Sequence, residues 1–320
     1  MTSAMLPPAP SGGPVDDTDI DDRELLSAKT GGGSFWRGVF RRLIRNPSAW
    51  VGAVIISVFL LVALFAPWLA PYGPNELPGR EYITPTYIPG PGEIPGFPLG
   101  LDRFGGDVLS KLIWGARASL LIGVISTAIG LLGGMILGFL CGMFGGWVDT
   151  LIMRIVDILL SIPSLLLAVS IAAILGQTQL SVMIAIGAAQ VPIFARLLRA
   201  SMLQQRNSDY VLSARTLGLG RGTITMSHVL PNSVGPVIVQ GTLSLATAVI
   251  EAAALSYLGL GGGLPTTAEW GRMLTYAQLE LAVNPWLAFL PGICITITAL
   301  GFTLLGEALR EAMDPRTRRR

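Results

Sequence analysis

Few side chains in this sequence suit covalent or phosphoryl chemistry, and their spacing removes most of the options. A loop of the form GxxxxGK[ST] cradles nucleotide phosphates only with a lysine directly after a glycine. The two lysines, Lys29 and Lys111, follow Ala28 and Ser110, so no such loop exists here. The lone histidine, His228, belongs to a basic loop with no nucleophile–base–acid constellation around it. Cys141 and Cys294 both fall inside apolar runs and read as packing residues rather than a disulfide framework. Without a Cys/His cluster, no metal centre is expected. What remains is a set of donors and one acid. Arg206, Arg215, Arg221 and His228 surround a polar island at 205–232, and Glu251 stands alone inside an apolar run. A carboxylate within a membrane span is costly unless paired or wetted. Two roles are open for Glu251: contact with a substrate ammonium, or a structural pair with Arg117 or Arg272.

The island reads as two short helices around a glycine turn. Ser208 is placed to cap the first, since a serine hydroxyl suits the unpaired N–H groups of a first turn. Tyr210, Ala214 and Leu217 recur at helical spacing and predict one apolar face. Gly218 stands where a helix ends on a left-handed residue, which glycine adopts without a Cβ clash. A second segment is expected from about Thr223 to Val229, with Pro231 stopping it.

The elements that must hold these residues are membrane spans. The 320-residue chain is 51% hydrophobic and 13% charged, against about 25% charged in a soluble domain. Its apolar residues gather in runs long enough to cross a bilayer, which takes about 20 helical residues. Six spans are predicted, near 49–69, 118–144, 151–175, 182–203, 234–258 and 286–309, making an all-α membrane protein. On the second, Gly130, Gly134, Gly138 and Gly142 repeat every four residues, a pattern that lets a neighbouring helix approach closely. Pro163, Pro192, Pro236 and Pro291 favour kinks in the later spans.

The flanks differ in kind. Residues 1–33 are rich in Pro, Gly, Ser and Asp and are expected to be a disordered cytoplasmic segment. At 34–46, Trp36, Phe40, Leu43 and Ile44 share a helical face beside Arg37, Arg41, Arg42 and Arg45. This predicts an interfacial helix on an anionic membrane surface, or equally a plain anchor for the span at 47–69. A Pro/Gly-rich outer loop covers most of 70–117, closing with a candidate amphipathic helix that leads into the five-helix core at 118–310. A basic tail occupies 311–320. With the amino terminus inside, 17 of the 22 Lys and Arg residues fall on the inner side. Only Arg80, Arg103, Lys111, Arg117 and Arg272 fall outside. The positive-inside rule then puts both termini and the 205–232 island in the cytoplasm.

Several spaced motifs resemble one family. The inner-membrane permease subunits of bacterial ABC importers carry a loop reading E-A-A, three residues, Gly, nine residues, then I-x-L-P. Here Ala214, Gly218 and Leu230-Pro231 match it, while Leu212, Ser213 and His228 depart from it. The flanking Asp209-Tyr210-Val211 and the run from His228 to Asn232 are similar to the dipeptide/oligopeptide/nickel branch. So are LGLDRFGGDVLSKLIWGARASL before the second span, with Gly106 replacing the family arginine, and ALSYLGLGGGLPTTAEWGRML after the fifth. The tail LLGEALREAMDPRTR resembles the subunit ending in DPR, the C-type partner of the pair.

The resemblance implies a type I ABC importer permease fold in a bacterial cell membrane, with the island as a coupling helix seated in a cytoplasmic ATPase. Asp209, Tyr210, Ser213, Ala214, Arg215, Leu217, Gly218, His228, Leu230 and Pro231 are the coupling positions it implies. It also implies a homologous permease as partner, an external substrate-binding protein, ATP and Mg held by the ATPase subunits, and no cofactor on this non-catalytic chain. No nucleic acid is implied. Short peptides are the implied cargo, with nickel, a haem-like or another small solute as alternatives. A secondary transporter without an ATPase, or a membrane scaffold, are the readings of a different class.

Overall fold

The structure is a computed structural model that describes residues 33–264 and 266–314. The expected disordered segment, up to residue 32, and the tail from 315 lie outside the described residues. The first helix, α1 (Gly33–Arg45), ends at Asn46, which caps α2 (Pro47–Leu64) by accepting the Ser48 N–H at 2.9 Å. Pro47 suits the first turn of α2, because its missing N–H would have no partner there. A short turn, α3 (Ala66–Leu69), opens a long connection with one 3₁₀ turn (Arg80–Tyr82) and two isolated β-bridges.

Polar capping, not hydrophobicity, sets the start of α4 (Val108–Phe144). The Asp107 carboxylate accepts from the Ser110 N–H at 2.8 Å and from its hydroxyl at 2.7 Å. One turn on, buried Lys111 pairs with Asp102. The helix therefore begins ten residues before the predicted span at 118. The amphipathic helix expected on the outer surface is its first part, continuous with the span.

The third span differs more. A single span at 151–175 was expected, but two helices form, α5 (Gly146–Leu160) and α6 (Ser164–Leu175), bent by 95°. Pro163 has no N–H to continue the ladder, and the Ser161 hydroxyl donates to Ile158 C=O at 2.6 Å, closing α5. At 15 and 12 residues, the two segments reach roughly 22 and 18 Å, each short of the about 30 Å hydrocarbon core.

Long and short helices complete the bundle: α7 (Gln179–Arg206), α8 (Asp209–Thr216), α9 (Arg221–Ile224), α10 (Leu230–Tyr257), α11 (Trp270–Ala277) and α12 (Trp286–Met313). Five runs are long and apolar enough to cross a membrane: α2, α4, α7, the continuous Arg221–Tyr257 run and α12. Taken together as one broken span, the bent pair α5–α6 makes six. Among the described residues no strand forms.

The centre is the contact between α4 and α7. Gly130, Gly134, Gly138 and Gly142 all face α7, meeting Gln190, Phe194, Leu198 and Met202 in turn. Backbone meets backbone there: a β-carbon on Gly138 would lie 2.6 Å from the Ala195 carbonyl oxygen. At the end away from α8, Trp270 is fully buried, with its indole N–H on Leu112 C=O at 3.0 Å and its ring edge-on to Phe59. Glu269 caps α11 through the Gly271 and Arg272 N–H groups. Burial pushes its carboxyl above the ordinary range, against the pull of those donors.

A helical knuckle and an intramembrane carboxylate

The knuckle is built on α8 and α9. Val211 and Ala214 are buried against Phe194, Met202, Ile224 and Val229, which ties α8 to the end of α7 and to the start of the next helix. The apolar face expected from Tyr210, Ala214 and Leu217 is therefore corrected. Only Ala214 turns inward, and Val211 replaces the other two. In an eight-residue helix two apolar stripes one position apart are both periodic, and packing against α7 selects between them. Leu217, 81% exposed, Leu212, 61%, and Tyr210, 37%, face outward.

Ser208 occupies the cap position, but its hydroxyl donates backward to Gln205 C=O at 2.6 Å instead of accepting from α8. Tyr210 reaches the same residue, donating its hydroxyl to Gln205 Oε1 at 2.8 Å. Ser213 donates to Asp209 C=O at 3.0 Å, and Asp209 and Arg215 stand exposed. At the other end the Leu219 N–H reaches Ala214 C=O and the Gly218 N–H reaches Arg215 C=O. That pair of bonds needs a left-handed residue, and Gly218 supplies it at φ +80°.

Pro231 does not stop the second segment. It sits in the first turn of α10, after a π-helical turn (Thr225–Val229) in which Leu230 N–H bonds to Thr225 C=O. The wide turn absorbs the irregularity a proline brings. From Arg221 to Tyr257 the chain is consequently one helical run. Leu230 is half-buried, Pro231 exposed, and His228 partly covered, its carbonyl accepting from Asn232 at 2.7 Å.

Near the far end of that run stands Glu251. Neither expected arginine pairs with it. Arg272 is drawn to the carbonyls of Gly263 and Leu264 at 3.1 and 3.2 Å, and Arg117 is exposed. Instead Ser164, the first residue after the break in the third span, donates to Glu251 Oε1 at 2.8 Å. The second oxygen, Oε2, is buried without a partner among the described residues. Sequence reasoning missed Ser164, and it missed two ion pairs between α5 and α7. Arg199 forks onto Asp149, with Nη2 on Oδ2 at 2.6 Å, and Arg196 pairs with Asp157. The spacing of Arg196 and Arg199 on one face of α7, opposite acids eight apart on α5, was the available signal.

Broken and unbroken apolar helices around a glycine-lined contact, with a short helical knuckle at one end, make a fold shared with the membrane subunit of a solved ABC transporter. A solved structure of the MetNI methionine ABC transporter in an inward-facing conformation matches with a TM-score of 0.51 at 17% identity. The match covers 64% of this chain and 98% of that one.

Residues 134–319 match the binding-protein-dependent transport system inner membrane component, and residues 34–86 match the N-terminal TM domain of oligopeptide transport permease C. The chain is 41% identical over 281 residues to the dipeptide transport system permease protein DppC of Alkalihalophilus pseudofirmus, covering 88% of this chain and 90% of the relative. It is 43% identical to the di/tripeptide transport system permease protein DppC of Pseudomonas aeruginosa, with 88% and 91% covered. To the glutathione transport system permease protein GsiD of Escherichia coli O157:H7 it is 38% identical, with 88% and 90% covered. The chain belongs to the binding-protein-dependent family of inner-membrane transport components.

Proposed function

We propose that this chain is one of two homologous permease subunits of an ATP-driven importer of short peptides. An external binding protein delivers cargo, and partner ATPase subunits hold ATP and Mg. The chain itself carries no cofactor and no catalytic group. One observation carries the mechanism: the second half of the knuckle, α9, and Glu251 lie on the same helical run, Arg221–Tyr257, with α8 joined to its start through the Gly218 turn. The 37 residues of that run make a rod of roughly 55 Å. Closure of the ATPases on ATP would move Asp209, Tyr210, Leu217 and their neighbours, and the rod would carry that motion to Glu251 and the broken third span. Exposed Leu212 on α8 and Leu217 just past its end suit a helix-in-groove contact, where a few apolar anchors hold an amphipathic helix. Peptide cargo is supported by relatives named for dipeptides and glutathione, all short peptides or peptide-like.

The orientation this requires has a direct test. In a background lacking Cys141 and Cys294, a cysteine at exposed Thr86 should react with an impermeant thiol reagent applied to whole cells. One at exposed Arg221 should react only after the membrane is opened. The reverse pattern would place the knuckle outside and end the coupling role.

Glu251 is assigned to the cargo path, where its unpartnered oxygen would accept a peptide ammonium. A charge-assisted bond of this kind is worth about 1.5–3 kcal/mol. Glu251→Gln should therefore cut uptake of free-amino dipeptides about tenfold or more, leave N-acetylated ones little changed, and keep membrane levels normal. Equal loss for both cargo types, with reduced complex, would make the residue structural. Ser164→Ala, which frees the other oxygen, should leave the preference for free-amino cargo in place.

A further inference from the structure

A cavity of about 440 Å³ opens where the elbow between α1 and α2 meets the end of α12. Arg42, Arg45, Asn46, Pro47, Glu311 and Ala312 line it. We propose that it is a binding site for the phosphate of an anionic phospholipid, whose acyl chains lie along α2.

Three observations support this. The cavity is cationic where it opens. Glu311 is tied down by the Asn46 amide, which donates to its Oε2 at 2.9 Å, and Arg42 leans on Ala312 C=O at 3.3 Å. The Arg45 side chain has no hydrogen bond or ion pair among the described residues, so its fork of donors is free for phosphate oxygens.

The depth is that of lipid headgroups. Trp50, one turn into α2, is exposed and donates its indole N–H to Ile44 C=O at 2.7 Å. A tryptophan with an apolar body and a satisfied N–H marks the boundary between acyl chains and headgroups. Beside it, exposed Phe40 and Ile44 alternate with Arg41 and Arg45 along α1, the arrangement of a helix lying in that boundary.

A track for acyl chains leads away from the cavity. Val51, Val54, Val58 and Leu61 continue from Pro47 at alternating four- and three-residue steps, and each of the four is about half exposed. They form one apolar stripe along α2. A soluble phosphate would use only the arginines, whereas a phospholipid uses the arginines and the stripe together.

Native mass spectrometry of the full-length chain in detergent, with equal phosphatidylglycerol and phosphatidylcholine added, reads the site directly. The wild type should retain phosphatidylglycerol in preference. An arginine near an anionic lipid is worth about fivefold in binding. Arg45→Ala, which breaks no described contact, should lower phosphatidylglycerol retention about fivefold, and R42A/R45A roughly 25-fold. Arg41→Ala removes the same charge four residues away, outside the cavity, and should change retention less than twofold. Val54→Asp, on the acyl track, should also reduce retention. Equal losses from R41A and R45A would mean diffuse surface attraction and would overturn the proposal. So would full competition by free glycerol phosphate at lipid-equivalent concentration, which would assign the arginines to a soluble anion. Retention unchanged in both R45A and the double variant would overturn it as well.

Discussion

Gly218→Val is expected to lower peptide uptake at least tenfold while the protein still reaches the membrane and pairs normally. The argument is conformational. Gly218 has φ +80°, and a β-carbon there would meet nothing within 4 Å, so neighbouring atoms do not oppose it. The penalty is confined to the backbone. A left-handed conformation costs an L-residue about 1–2 kcal/mol, and a β-branched residue more. Such a penalty changes the population of the capped turn by a factor of about 5–30. With the turn lost, α8 loses its fixed angle to α9, and the outward leucines no longer present one edge. Gly218→Asn separates this account from a steric one, since asparagine enters the left-handed region readily. Labelled-dipeptide uptake, normalised to membrane protein by immunoblot, should stay near wild type for asparagine and collapse for valine. Wild-type uptake by the valine variant would sink the coupling assignment, and equal loss in both variants would sink the conformational cause.

The second large effect is structural. Gly134→Ala should destabilise the isolated chain by about 1–3 kcal/mol, and Gly134→Leu should prevent its accumulation. A β-carbon on Gly134 would lie 2.3 Å from Phe194 Cβ, 2.7 Å from the Val191 carbonyl oxygen and 2.9 Å from the Ala195 nitrogen. Two of these are backbone atoms that cannot swing aside, so α4 and α7 must part along the contact that centres the bundle. Gly292→Ala provides the contrast. Its β-carbon would meet nothing within 4 Å, and glycine in a helix interior costs about 0.5–1 kcal/mol relative to alanine. Thermal unfolding in detergent should thus shift down for Gly134→Ala and slightly up for Gly292→Ala. Shifts of the same sign and size would show that α4 and α7 do not depend on the glycine ladder.

Much of the architecture was legible because membrane spans and caps are local properties. A run of apolar residues commits a segment to a helix by its own length, since the bilayer core leaves backbone groups no other partners. The sequence alone therefore determined five long helices, the four-residue glycine period on α4, and a glycine positioned to end a short helix at 218. The motif order also pointed to the permease family.

Other features were decided only when distant segments met. Two serines and a proline at 161–164 are locally a kink. In the fold they mark a 95° break, beyond which Ala168 and Ala172 of α6 join a buried cluster with Ile122, Ile186 and Leu255 from three other helices. Pro231 reads as a stop in one dimension, and the π turn before it makes it a start. In sequence, an arginine is the natural structural partner for Glu251, because opposite charges attract. The loop carbonyls had already taken Arg272, and the broken span brought Ser164 within 2.8 Å. The same holds for Asp149 with Arg199, 50 residues apart, and for the arginine cavity, whose walls lie some 270 residues apart in sequence. Periodicity describes which face a helix turns toward its neighbours, but which neighbour it meets, and with which atoms, is set by how the helices pack.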